Sequence, residues 1–106
     1  MIKLIATPIN IESTACEVLR QYPVKRAALF GSSARGDMTA QSDIDMLVEF
    51  LPDTRGIEFF GLHVDLEEAF GCHVDLITYE SLHRQAKPKF RERILKDERV
   101  FYERAN

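Results

Sequence analysis

Apolar residues recur along this chain with two different periods, and the switches between them mark its elements. Ile11, Ala15, Val18, Leu19 and Tyr22 fall at helical spacing after the start signals Thr7-Pro8 and Asn10, and Pro23 closes that run. The stretch from about Lys25 to Phe30 is compact and apolar, as a buried strand should be, and Ser33 to Arg35 opens a short helix. A second strand is predicted over Asp43 to Phe50, ending near Pro52. Phe59, Leu62, Leu66 and Phe70 share the inner face of a longer helix, and Gly71 sits where a C-terminal cap belongs. A third strand covers about His73 to Thr78. Lys87-Pro88 marks a break, after which Phe90, Ile94 and Leu95 continue a final helix, and Val100-Phe101-Tyr102 reads as a short closing strand. Ile2 to Ile5 is an apolar start of unassigned form. The order α-β-α-β-α-β-α describes an α/β chain: a small sheet with helices packed on it.

With 106 residues the chain reads as one domain, 1–106, with a single core and no room for a separate substrate-binding domain. No apolar run approaches the roughly 20 residues that cross a bilayer, and no signal-peptide pattern opens the chain. A cytoplasmic protein without membrane contact is expected. Cys16 and Cys72 form neither a disulfide framework nor a ligand cluster, and each is expected as a small buried residue. His63, His73 and His83 are likewise too scattered to suggest a metal cluster. The net charge of −3 conceals an asymmetry: residues 1–82 hold 6 Lys/Arg against 13 Asp/Glu, and residues 83–106 hold 8 against 4. The basic end is a solvated helix face or a surface for phosphates, RNA or an acidic partner.

The chemistry concentrates between Gly31 and Asp45. Gly31 permits a sharp turn, after which the amides of Ser32 and Ser33 are free to point at an anion. Asp43 and Asp45 project from one face of the following strand, while Ile44 and Met46 project from the other. Two carboxylates so close repel unless a cation sits between them, and Mg²⁺ prefers oxygen ligands beside phosphates. A phosphate turn facing a carboxylate pair is apparatus for phosphoryl or nucleotidyl transfer. Asp75, set in Val74-Asp75-Leu76-Ile77, needs a partner if buried. It completes a carboxylate triad if its strand lies beside Asp43–Asp45, and otherwise occupies a solvated strand end.

These residues resemble the minimal nucleotidyltransferases of the polymerase-beta superfamily, small prokaryotic proteins encoded beside HEPN-domain partners as toxin–antitoxin pairs. The signature is Gly-Ser, ten residues, then Asp-x-Asp, and Gly31-Ser32 to Asp43-Ile44-Asp45 matches it without a gap. Gly31-Ser32-Ser33-Ala34-Arg35-Gly36-Asp37 and Ser42-Asp43-Ile44-Asp45 follow the fuller wording, and Val74-Asp75-Leu76-Ile77 looks like the third-carboxylate strand. Arg91 to Leu95 followed by Val100-Phe101-Tyr102 looks like the family's C-terminal end. The resemblance implies a mixed-sheet core, two Mg²⁺ ions on Asp43, Asp45 and Asp75, and ATP as donor. It also implies transfer of AMP to a tyrosine hydroxyl of a HEPN RNase toxin, with no direct nucleic-acid binding expected. Gly31, Ser32, Ser33 and Arg35 are the nucleotide-contacting candidates, Arg35 being alternatively a loop-stiffening partner of Asp37 or Asp43.

Other residues carry plainer readings. Ser42 and Asp37 suit turn or cap positions, and His73 suits a structural role. Lys87, Lys89 and Arg91 are within reach of nucleotide or partner, or simply solvated. Phe59 and Phe60 read as core with one exposed neighbour. A small-molecule nucleotidyltransferase and a binding-only antitoxin stand as alternatives. The first lacks chain for an acceptor pocket, and the carboxylates argue against occlusion alone.

Overall fold

A computed structural model describes residues 8–38 and 43–105, with side chains from Asn10. The apolar start at Ile2 to Ile5, the helix signal Thr7 and the turn residue Ser42 lie outside the described residues. The elements are α1 (Pro8–Leu19), β1 (Val24–Leu29), α2 (Gly31–Arg35), β2 (Ile44–Phe50), α3 (Gly56–Phe70), β3 (Val74–Thr78), α4 (Tyr79–Gln85), α5 (Pro88–Lys96) and β4 (Arg99–Glu103). The sheet order is β3-β2-β1-β4. β1 runs antiparallel to both β2 and β4, and β2 runs parallel to β3, so the sheet is mixed.

Strand alternation divides the side chains into two layers. Ala27, Leu29, Ile44, Met46, Val48, Val74 and Leu76 form one face, and Ile11, Ala15 and Leu19 of α1 close over it with Leu62 and Leu66 of α3. The predicted inner faces of both helices are therefore the observed ones. Ala28, Phe30 and Leu47 point the other way and meet Tyr79 and Leu82 of α4 and Ile94 of α5. Across the first layer, the Tyr22 hydroxyl packs over Gly61 and hydrogen-bonds Asp65. That bond, with desolvation, pushes the phenol up to about 12.

Several boundaries depart from the pattern. The final helix is two helices, because Ala86 (ψ 143°) and Lys87 (ψ 146°) are extended ahead of Pro88, which takes the first turn of α5. Thr78 caps α4 by accepting a hydrogen bond from the Ser81 N–H at 3.0 Å. Within α5, Phe90 is exposed, and Ile94 with Leu95 carries the packing. Gly71 ends α3 in the left-handed region (φ 68°), as the sequence predicts. Cys72 is exposed rather than buried, because it follows that cap in the turn ahead of β3, while Cys16 is half-buried. The basic C-terminal residues divide. Arg104 donates to the carbonyls of Tyr22 (2.6 Å) and Val24 (2.8 Å), Arg99 pairs with Glu12, and Arg91 donates to the His83 carbonyl. Lys87, Lys89 and Arg93 remain exposed.

Candidate active site

β1 ends at Leu29, and the chain turns at Gly31, whose φ of 59° lies in the left-handed region. A glycine is required there for a second reason. A Cβ on Gly31 would stand 2.8 Å from Asp45 Oδ2, so the backbone of the turn faces that carboxylate directly. The turn runs into α2, which closes at Gly36 (φ 81°) with its N–H bonded to the Ser32 carbonyl. Phe30 N–H donates to the Asp45 carbonyl at 3.2 Å. Ser33, fully buried, accepts the Asp45 N–H on its Oγ at 2.9 Å. Its side chain thus fixes α2 to β2 and is turned away from solvent, and only its backbone N–H remains for an anion. Ser32 is half-exposed on the same turn.

The second half of the site comes from the β2–β3 pair. Asp45 and Asp75 are register partners on these parallel strands, and both lie on the face away from α1 and α3. Asp75 is exposed, and its strand lies beside that of Asp45, the placement on which the triad reading depends. Asp43 lies exposed just before β2 rather than as its first residue. Partial burial, then the negative charges of Asp75 and Asp43, push Asp45 up to about 6; Arg35 and His73 oppose this. Asp43 and Asp75 thus both act on Asp45, and a cation bound by these side chains would meet oxygen donors only, the set that Mg²⁺ takes. Together with the bare backbone at Gly31, this donor set fits a metal–triphosphate group.

Arg35 is exposed and committed to carboxylates, with Nε 3.1 Å from Asp37 and Nη1 2.6 Å from Asp97. It ties α2 to the end of α5, as the loop-stiffening reading expects, with Asp97 added. A cavity of about 480 Å³ opens at the other end of the strands, between Arg26, Glu49, Thr54, Thr78, Tyr79 and His83. None of the predicted site residues lines it.

The histidines are where sequence spacing misled. Among the described residues, His63, Glu67 and His73 bring one ligand atom each within 4.8 Å of one another. His63 and Glu67 are one turn apart on α3, and the α3–β3 turn returns His73 to them. The signal was present in the (i, i+4) pair and needed only the helix–strand return to be recognised.

A family model described as a nucleotidyltransferase domain matches residues 11–102. The chain belongs to the nucleotidyltransferase domain family. It is 41% identical over 88 residues to a protein of Methanocaldococcus jannaschii named "Putative protein adenylyltransferase MJ0435", covering 83% of this chain and 90% of that one. In structure it resembles a toxin–antitoxin complex solved with AMP-PNP (TM-score 0.68, 24% identity, 88% of this chain and 73% of that chain). It also resembles a Shewanella oneidensis complex of tri-AMPylated HEPN toxin with MNT antitoxin (TM-score 0.63, 20% identity, 92% and 73%). At those identities the likeness is one of fold. This nucleotidyltransferase-family enzyme has the mixed four-stranded sheet that its sequence leads one to expect. Among its described residues, no helix is long and apolar enough to cross a membrane.

Proposed function

We propose that this nucleotidyltransferase moves AMP from ATP to a tyrosine hydroxyl of a HEPN-type RNase partner and so serves as its antitoxin. The observation that carries the reading is the contact of the Gly31 turn with Asp45, whose register partner is Asp75. The family membership, the M. jannaschii relative's name and the toxin–antitoxin complexes of like fold support it. A cytoplasmic setting accords with this reading.

Transfer at the α-phosphorus forms one new oxygen–phosphorus bond and releases pyrophosphate. The Gly31 and Ser32 amides and the Ser32 hydroxyl hold the β- and γ-phosphates, which orients the leaving group in line with the acceptor. Asp43, Asp45 and Asp75 are the residues that would hold Mg²⁺, which supplies charge stabilisation to the transferring group. Asp75, solvent-facing at the start of β3, lies on the acceptor side and takes the hydroxyl proton. A tyrosine hydroxyl ordinarily titrates near pH 10, so its deprotonation is a step the site must assist. Arg35 holds α2 in place through Asp37 and Asp97 and contributes positive charge beside the triphosphate.

The test is intact-mass spectrometry of this chain mixed with its HEPN partner, ATP and Mg²⁺. The partner should gain mass in steps of one AMP while its RNase activity falls, and the chain alone should show at most slow self-labelling. A partner inhibited equally well without ATP, and unmodified, would establish occlusion instead. Label appearing on an aminoglycoside rather than on protein would establish a small-molecule enzyme.

A further inference from the structure

We propose that His63, Glu67 and His73 form a binding site for a divalent transition metal, zinc being the ion its donor set suits. Glu67 Oε2 lies 3.2 Å from His63 Nε2 and 2.8 Å from His73 Nδ1, and the three atoms close to within 4.8 Å. Zinc binds imidazole nitrogen and carboxylate oxygen at about 2.0–2.2 Å, so ligands on one ion stand roughly 3 Å apart, as here. Two imidazoles and one carboxylate form a set that zinc takes with its fourth position open to water. His73 is exposed and the other two are half-buried, so the site can be loaded from solvent. Its nitrogen donors separate it from the aspartates, whose oxygens select a hard ion.

The metal-free arrangement is itself ordered. β3 is an edge strand, and α3 covers its first residue: His63 Nε2 donates to the Val74 carbonyl at 2.8 Å, and Glu67 Oε2 accepts the Val74 N–H at 2.9 Å. Loading zinc replaces the proton on His63 Nε2 and its bond to Val74, and adds His73 to the joint. The bound ion thereby fastens α3 to the strand that carries Asp75.

The test uses the full chain, stripped of metal, titrated with zinc chloride in a calorimeter and in thermal unfolding. One zinc per chain should bind, and the melting temperature should rise with zinc concentration. His73→Ala and His63→Gln should each weaken zinc by more than the roughly 10–100-fold that outer-sphere changes produce. His63→Gln retains a side-chain donor for the Val74 carbonyl, so its apo stability stays near that of the parent while zinc binding is lost. His83→Ala, and Asp43→Asn with Asp45→Asn, should leave the zinc isotherm unchanged. Undiminished binding in His63→Gln and His73→Ala would overturn the site, as would loss of binding in the aspartate variant or no zinc binding by the parent chain. Any of these leaves the three side chains as a hydrogen-bonded clamp only.

Discussion

The two faces of the sheet are built from the same strands and behave as opposites. On one, Leu29, Met46, Val48 and Val74 are sealed beneath Leu19, Leu62 and Leu66. On the other, Ala28, Phe30 and Leu47 are covered by Tyr79, Leu82 and Ile94, and Asp45 and Asp75 at the strand starts are left half-exposed and exposed. Neighbouring positions such as Ile44 and Asp45 therefore face the packed core and the partly solvated side separately. A strand side chain can be altered on one face with little consequence for the other. The turn at Gly31 is the exception, since it touches both the backbone path and a carboxylate.

The hardest test of that separation is Asp43→Asn with Asp45→Asn. AMP transfer should fall by about 10³-fold or more, equivalent to ~4 kcal/mol of transition-state stabilisation, while circular dichroism stays native and the melting temperature does not fall. Near-native transfer by the folded double variant would remove the aspartates from the chemistry. Asp75→Asn should likewise lower turnover far more than ATP affinity.

Leu66→Ala makes the opposite break. A leucine with no solvent exposure should cost about 2–5 kcal/mol, read as a shift of the urea midpoint, with turnover per folded molecule unchanged. A fall in specific activity of the folded fraction would mean that the two faces are mechanically linked.

Gly31→Val should damage both sides at once. Its left-handed backbone costs a branched residue about 1–3 kcal/mol, and the added carbon meets Asp45 Oδ2. Binding of a non-hydrolysable ATP analogue, followed by calorimetry, should weaken more than in Ser32→Ala, which keeps the backbone amides. Unchanged binding in both variants would place the triphosphate elsewhere.

The smallest effect concerns pH. Asp45 carries a folded value of about 6, above its ordinary range, because of partial burial and its neighbours Asp75 and Asp43. The folded state therefore holds this proton after the unfolded chain has released it, and stability declines as pH rises from about 4 to about 6, then levels. After allowance for solvent screening the contribution is about 1 kcal/mol. Asp45→Asn should flatten this part of the profile and raise the melting temperature at pH 7. An identical profile in both proteins would show that neither burial nor the neighbouring carboxylates raise Asp45 in the folded state.

What could be read from the chain follows how local each feature is. Gly31 through Asp45 is contiguous, so the turn and the side on which Asp45 projects were legible from spacing, while Asp43 falls just before the strand. Asp75 was legible as an anomaly among Val74, Leu76 and Ile77, and its place beside Asp45 came from the parallel register. The His63–Glu67–His73 convergence was missed, since it depends on the angle at which α3 returns to the edge of β3. Phe90, Ile94 and Leu95 were read only as members of one helix, and which of them faces in is set by the new start at Pro88, which buries Ile94 and leaves Phe90 exposed. Cys72 was judged by residue type, where the exposed turn after Gly71 decides.

The central strand carries a consequence for folding. Leu29 pairs with Met46 on one side and with Arg99 on the other, so the two seams of β1 close over very different lengths of chain. The shorter loop closes at lower entropic cost, so β1–β2 forms first and β4 docks last. An intermediate of that kind already has the Gly31 turn opposite Asp45, while the β4 side of β1 is bare. Pulse-labelled hydrogen exchange should therefore protect the Leu47 and Phe50 amides before those of Val100 and Tyr102, and the bare seam is where a refolding chain is open to pairing with its neighbours.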